Sequence, residues 1–269
     1  MTRLPLTALV SSRNEGYLLG RCLDSIAFCD EIIVIDIDSD DDTAEVARSR
    51  GARVAHHVWV PIAERARLEL VGEAHHDWLL FLDPDEVFAP ALAAQIGELL
   101  PTVAADVAVV DCPWQFYFRN EPLRGTIWGG VTFKRTLARR GAAELRPTVH
   151  SGTRPRDGFR AETIAYDGDN AIAHYWSPGY RSLVEKHLRY LRLEGPDRRS
   201  QGMVTGYKDI VRTPAPAFWQ SFVTRRGYRD GIDGFFLSVL WSAYSTGAKV
   251  ALLRELQRVD ATDTVTGRG

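Results

Sequence analysis

Trp78-Leu79-Leu80-Phe81-Leu82-Asp83-Pro84-Asp85-Glu86 (WLLFLDPDE) is the stretch that decides the fold. Five apolar residues without polar alternation read as a strand buried on both faces, the pattern of a parallel sheet covered by helices. The run then stops abruptly in three carboxylates. Asp83 and Asp85 are two apart, so an extended backbone would point them the same way. Carboxylates that converge at a strand end repel unless a cation lies beside them. A divalent ion answers this with one or two carboxylates, its other positions being filled by water and phosphate oxygens. Ligands of open parallel sheets bind just beyond the carboxyl ends of the strands, so the same nine residues mark where chemistry is expected, with a metal diphosphate as the ligand.

Working outward, short apolar runs alternate with helical patterns. Leu6 to Val10 reads as a first strand, and Leu18, Leu19, Cys22, Leu23, Ile26 and Ala27 recur at helical spacing after the polar turn Ser11 to Asn14. Glu31 to Ile37 (EIIVIDI) is a second buried strand, and Asp40 to Asp42 cap a helix running to Arg50. Arg53 to Val60 is a third strand, Pro61 opens another helix, and a further helix follows the acidic cluster at Pro90. This order predicts an α/β fold with a mostly parallel central sheet flanked by helices. Beyond it, Val107 to Val110 reads as a fifth strand, Pro113 to Phe118 is aromatic, and Ile127 to Phe133 mixes strand and loop around Gly129 and Gly130. From Pro178 the pattern is helical: Leu183, Val184, His187, Leu188 and Leu191 share a stripe, and a last helix spans Gly234 to Gln257. The expected organisation is therefore a catalytic domain over 1–175 and a helical C-terminal extension over 176–269, packed on it at the acceptor or membrane side.

A chain of 269 residues, 45% apolar and 25% charged, builds a real core, which excludes disorder, collagen-like repeats and a disulfide scaffold. Cys22, Cys29 and Cys112 are odd in number and lack ligand spacing, so buried thiols in a reducing cytoplasm are expected. MTRLPLTALVSSRNE lacks the apolar run of a secretory leader. The net charge of -2 conceals an asymmetry: 18 Lys and Arg against 26 Asp and Glu before Tyr175, and 15 against 9 from there on. The acidic front argues against nucleic acid as a partner, and the basic back suggests an anionic one. There, Trp219, Phe222, Arg225, Arg226, Tyr228 and Arg229 precede the apolar Phe235, Phe236, Val239, Leu240, Trp241 and Tyr244. The uncharged run from Gly234 to Ala248 is too short to span a bilayer; packing into the core is the default expectation for it, and a basic, aromatic surface resting peripherally on the membrane is the alternative.

Three segments in order, VSSRNEGYLLGRCLDSI (10–26), DEIIVIDIDSDDDT (30–43) and DWLLFLDPDE (77–86), resemble the family 2 glycosyltransferases of the GT-A fold. The likeness is to the bacterial subgroup that builds lipopolysaccharide cores and other cell-surface glycans. It implies a metal-assisted (Mn2+ or Mg2+) inverting transfer of a sugar from a nucleotide diphosphate donor, UDP favoured, to a hydroxyl of a cell-envelope or lipid-linked glycan. By the same resemblance Ser11, Arg13, Asn14 and Glu15 border the nucleotide, Asp36 meets the nucleobase with Asp38 beside it, and Arg67 faces the diphosphate. Asp83 approaches the ribose or the metal, and Asp85 coordinates the metal. Lys134 and Arg135 could add positive charge to the leaving group. For the base that takes the acceptor proton the candidates are His150, Asp111, Glu144 and Asp167, with His150 alternatively a metal ligand. The chain departs from the family pattern in placing Leu68 after Arg67, Ser151 after His150, and acidic residues at 38 to 42.

Other classes fit less well. A nucleotidyltransferase would carry a Gly-rich basic first loop, whereas Ser11 to Gly16 has one Gly and one Arg, and a dinucleotide oxidoreductase needs a G-x-G-x-x-G turn. A catalytically inactive carbohydrate-binding homologue is the remaining alternative.

Overall fold

The computed structural model describes residues 3–145 and 153–266. In chain order the elements are β1 (Leu4–Ser12), α1 (Gly16–Ser25), β2 (Cys29–Ile37), α2 (Thr43–Ser49), β3 (Arg53–His57), α3 (Ala63–Leu70), β4 (Trp78–Leu82), β5 (Glu86–Val87) and α4 (Pro90–Leu99). There follow β6 (Val107–Phe118), β7 (Glu121–Pro122), β8 (Val131–Arg139), β9 (Ala143–Leu145), β10 (Thr153–Pro155), β11 (Arg160–Thr163) and β12 (Ile172–Ser177). The last helices are α5 (Tyr180–Ser200), α6 (Tyr207–Arg212), α7 (Pro214–Trp219) and α8 (Gly231–Thr266).

The chain divides into two compact units, one of residues 1–115 and 131–175, the other of 116–130 and 176–269. The aromatic and Gly-rich segment 116–130, expected with the first domain, thus belongs to the second unit.

In the first unit the strand order is β3-β2-β1-β4-β8-β6-β12-β5, with β11 also paired to β6. β3, β2, β1 and β4 run parallel, and β8 pairs antiparallel with both β4 and β6. This is the α/β class read from the sequence. Alternation along β1 explains the two cores. Leu6, Ala8 and Val10 join Leu19, Cys22, Leu92 and Ile96 on one face of the sheet, while Leu9 joins Ile33, Ile35, Phe81 and Ala66 on the other. All five residues of β4 are buried, as a strand covered on both sides must be.

Two boundaries moved for physical reasons. The third strand ends at His57 rather than Val60, and Pro61 precedes the helix at Ala63. The fifth strand continues through the aromatic stretch to Phe118, because β8 pairs with it from Val109 to Gln115 and β7 pairs with Tyr117 and Phe118.

The second unit gathers Phe118, Leu123, Trp176, Leu183 and Leu237 into its own core. The Asp230 carboxylate accepts the Arg124 and Gly125 amides at 2.8 and 2.7 Å. Gly125 is required at this point, since a Cβ there would lie 2.2 Å from the Arg226 carbonyl oxygen.

Candidate active site

The β1–α1 and β2–α2 turns are laced together. Asn14 donates its amide to Ser39 Oγ (3.1 Å) and accepts the Asp40 amide on Oδ1 (2.7 Å). Asp41 accepts the Gly16 amide (3.0 Å) and the Thr43 amide (3.0 Å), so its place is structural. A Cβ at Gly16 would lie 3.1 Å from the Thr43 amide nitrogen and would require the Asp42 side chain to move. Asn14 and Asp38 both hold positive φ, 55° and 54°, a conformation that Asn and Asp tolerate best among non-glycine residues. Asp36 is buried at the end of β2, and its Oδ1 accepts the Ser39 amide at 3.1 Å. Arg13 is exposed, with its guanidinium 5.9 Å from the Trp59 ring centroid. Glu15 donates its amide to Thr43 Oγ1 (3.3 Å).

At the end of β4 the backbone turns, and the Glu86 amide donates to the Asp83 carbonyl at 3.0 Å. Asp followed by Pro suits the first two positions of such a turn. The chain is therefore not extended from Asp83 to Asp85, and the two carboxylates have different partners. Asp83 accepts Arg67 Nη2 at 2.5 Å and Lys134 Nζ at 3.1 Å. Burial alone would raise the Asp83 carboxyl, but Lys134 and Arg67 outweigh it and hold it well below the usual carboxylate range. Arg67, expected to face the diphosphate, is itself buried; its Nε donates to Ser11 Oγ (3.0 Å) and its Nη2 to the Leu82 carbonyl (2.8 Å).

Glu86 is fully buried and fully bonded. Its Oε1 accepts Trp114 Nε1 (2.7 Å) and Lys134 Nζ (2.6 Å), and its Oε2 accepts Lys134 Nζ (2.7 Å) and the Asp83 amide (3.0 Å). Two carboxylates and two cations therefore cancel in one block.

Asp85 stands apart from that block. The two-residue β5 pairs antiparallel with β12, setting His174 opposite Glu86, and the Asp85 carbonyl accepts the Tyr175 amide at 2.7 Å. This pairing brings His174 Nε2 to 3.0 Å from Asp85 Oδ2. Trp114 stacks on the imidazole with centroids 4.7 Å apart, and the Arg21 guanidinium lies 3.6 Å from the Tyr175 ring centroid.

Metal-binding capacity follows from these donors. Among the described residues no three His, Cys, Asp or Glu gather as a cage. Asp85 Oδ2 and His174 Nε2, hydrogen-bonded at 3.0 Å, are the carboxylate and imidazole donors that would be available to a divalent ion, with water and phosphate oxygens as its other ligands. Asp83 fits poorly as a ligand, since both its oxygens already face cations.

Asp111 does not reach this site. Its carboxylate grips Arg135 at 3.0 and 3.4 Å, and the Asp111–Arg135 pair falls on the face of the β6–β8 ladder opposite to Cys112, Lys134 and Trp114. The structure thus pairs Asp111 with Arg135 rather than bringing either to Asp85 and His174. Glu144 lies in β9 opposite Arg154, and Asp167 binds the Gln95 amide. His150 lies outside the described residues. Sequence reasoning missed His174 and the partners of Glu86, because no local pattern announces a residue placed by the pairing of a two-residue strand.

Comparison with known proteins comes to the same place. The family model described as glycosyl transferase family 2 matches residues 7–164. An uncharacterized glycosyltransferase of Rickettsia bellii is 25% identical over 257 residues, covering 93% of this chain and 86% of that one. The lipopolysaccharide core biosynthesis glycosyltransferase LpsC of Rhizobium meliloti is 25% identical over 260 residues, 92% of each chain. Among solved structures, glucosyl-3-phosphoglycerate synthase from Mycobacterium tuberculosis is similar over 42% of this chain and 43% of that one, with 24% identity and a TM-score of 0.34.

Proposed function

The chain belongs to glycosyl transferase family 2, and on that premise we propose that it moves a sugar, with inversion, from a nucleoside diphosphate to a hydroxyl of a cell-envelope glycan carried on a lipid. A uridine diphosphate sugar is the first donor to test. The acceptor class is supported by the likeness to LpsC, a lipopolysaccharide core enzyme, along nearly the whole chain. Three buried free thiols fit the reducing cytoplasm, where such donors are made.

The observation that carries this reading is the contrast between the two aspartates. Asp83 is held by the chain's own Arg67 and Lys134, whereas among the described residues Asp85 pairs with the His174 imidazole and with no Lys or Arg. Asp85 and His174 would hold a divalent ion, Mn2+ or Mg2+, which when bound offsets the charge that builds on the departing diphosphate. Trp114 fixes the imidazole plane, the Asp83 to Glu86 turn fixes the Asp85 backbone, and Arg67 ties the ends of β1 and β4 together through Ser11 and Leu82. Asp36 and the Asn14–Ser39–Asp40 lacing form the nucleoside side, with Ser11, Arg13, Glu15 and Asp38 around it.

Titration with Mn2+ followed by electron paramagnetic resonance, beside hydrolysis of UDP-sugars, tests this assignment. One site is expected, lost in Asp85→Asn and weakened in His174→Gln, with rates at least about 10²-fold lower in Asp85→Asn. A full rate in Asp85→Asn, or no thermal shift with UDP, GDP or dTDP in the presence of Mn2+, would overturn the reading.

A further inference from the structure

We propose that the second unit docks on a bilayer containing anionic lipid through one face of α8 and the aromatic segment that precedes it. The helix carries no charge from Gly234 to Ala248 and is buried on one side: Leu237, Ala248 and Leu252 are enclosed. On another face Ile232, Phe235 and Val239, at the i, i+3, i+7 spacing of one stripe, stay 81%, 52% and 45% exposed. The stripe is not isolated. The Phe235 ring touches those of Phe218 (5.8 Å) and Phe222 (5.9 Å), and Phe222 touches Tyr228 (6.4 Å), so the apolar surface is continuous. Continuous exposed apolar surface of this kind marks a contact site.

Charge identifies the occupant. Arg225, Arg226 and Arg229 are exposed beside these rings and form no ion pair among the described residues. The neighbouring acids are spent inward: Asp230 on the Arg124 and Gly125 amides, Asp233 on Arg119 and the Tyr180 hydroxyl. Three exposed arginines without an ion-pair partner among the described residues, close in sequence to Phe222 and Tyr228, match a headgroup layer, where Tyr sits at the boundary and each Arg near an anionic surface adds attraction. A second copy of the chain fits badly, because an isologous contact would set the three arginines against themselves. By length and composition Gly227–Val259 would suffice to cross a bilayer. Asp233 is bonded within the unit, however, and one side of the helix is its core, so the helix lies on the surface instead.

Docking does not depend on the transfer chemistry, and the two are read separately. The full chain is floated with vesicles of phosphatidylglycerol and phosphatidylcholine, and with phosphatidylcholine alone, at about 0.15 M salt. Binding to the anionic vesicles is expected. Arg225→Gln, Arg226→Gln and Arg229→Gln together should lower the partition constant about 10²-fold, at about 1 kcal/mol for each charge. Ile232→Ser with Phe235→Ser should lower it at least about tenfold. Donor hydrolysis by these variants should stay unchanged, which also shows that they are folded, and an alkaline carbonate wash should release the bound chain. Absence of flotation, equal flotation of the variants, retention after the wash, or a dimer that Phe235→Ser abolishes would each overturn the proposal. Flotation without hydrolysis would refute the transfer reading alone.

Discussion

Lys134→Met removes the cation shared by Asp83 and Glu86 while keeping nearly the length and bulk of the side chain. Taking one partner from a buried pair commonly costs about 3–5 kcal/mol, because the other charge is left desolvated. Two features lower that figure. The Lys134 side chain is 25% exposed and Asp83 is 40% exposed, and Asp83 keeps Arg67, so the loss falls mainly on Glu86, which is 0% exposed. Glu86 in turn keeps Trp114 Nε1 at 2.7 Å and the Asp83 amide at 3.0 Å. The expected cost is about 2–3 kcal/mol, read as a lower midpoint of urea unfolding with an unchanged slope. Adding Glu86→Gln neutralises the stranded acid and should recover about half of it, a coupling that a double-mutant cycle measures. A second readout is acid. With Asp83 held below its ordinary value, its stabilisation is present above about pH 3.9 and is lost as pH falls through its lowered native value, so Lys134→Met should show a smaller loss below pH about 4. A cost under about 1 kcal/mol, or a double variant that loses the sum of the two single losses, would refute this account of the charge balance.

Two further outcomes are expected. Hydrogen bonds to the Glu69 carboxylate and the Val58 carbonyl raise the His57 imidazole above its usual value. The stability it supplies is therefore full below about pH 6.5 and lost as pH rises through the raised value. The melting temperature should fall across that window, and His57→Gln should flatten the fall in scanning calorimetry. Asp230→Ala strips the acceptor from the Arg124 and Gly125 amides, which should weaken the second unit by about 2 kcal/mol and speed hydrogen exchange at those amides by about 30-fold. Exchange in β1 and β4 should not change, and uniform acceleration there would refute the local role of Asp230.

The fold was legible where a residue's environment follows from its near neighbours in the chain. The burial of β4, the strand EIIVIDI and the Pro90 helix all follow from runs of side chains that only a covered parallel sheet or a helix face accommodates. Legibility failed where long-range pairing decides. Phe116 and Phe118 continue a strand because β8 and β7 supply partners, and 116–130 joins the second unit through Asp230, more than a hundred residues away. His174 carries no signal of its own, since its neighbours Ala173 and Tyr175 are ordinary strand residues and its place depends on β5.

The reading of Asp83 and Asp85 as one converging pair is the most instructive, because the structure gives them different partners and a signal for that was present. Parity along a strand puts residues two apart on one side only while the chain stays extended. Asp-Pro at the first two positions of a turn ends that condition at once. The turn also has a consequence for the chemistry. Had both carboxylates pointed one way, Lys134 and Arg67 would have faced them together and competed with a divalent ion for the same oxygens. By diverging, Asp83 anchors the fixed cations in a block already neutralised by Glu86, and Asp85 is left to His174. Fixed cations balanced by fixed acids hold a diphosphate less tightly than bare ones would. With the proposed ion at Asp85 and His174, its exchangeable charge would set when the diphosphate binds and when it leaves. The same division predicts that activity follows the metal concentration while stability does not. A chain whose urea midpoint rose sharply with Mn2+ in the absence of nucleotide would show that the ion belongs to the fold, and the separation of the two aspartates would then have to be explained another way.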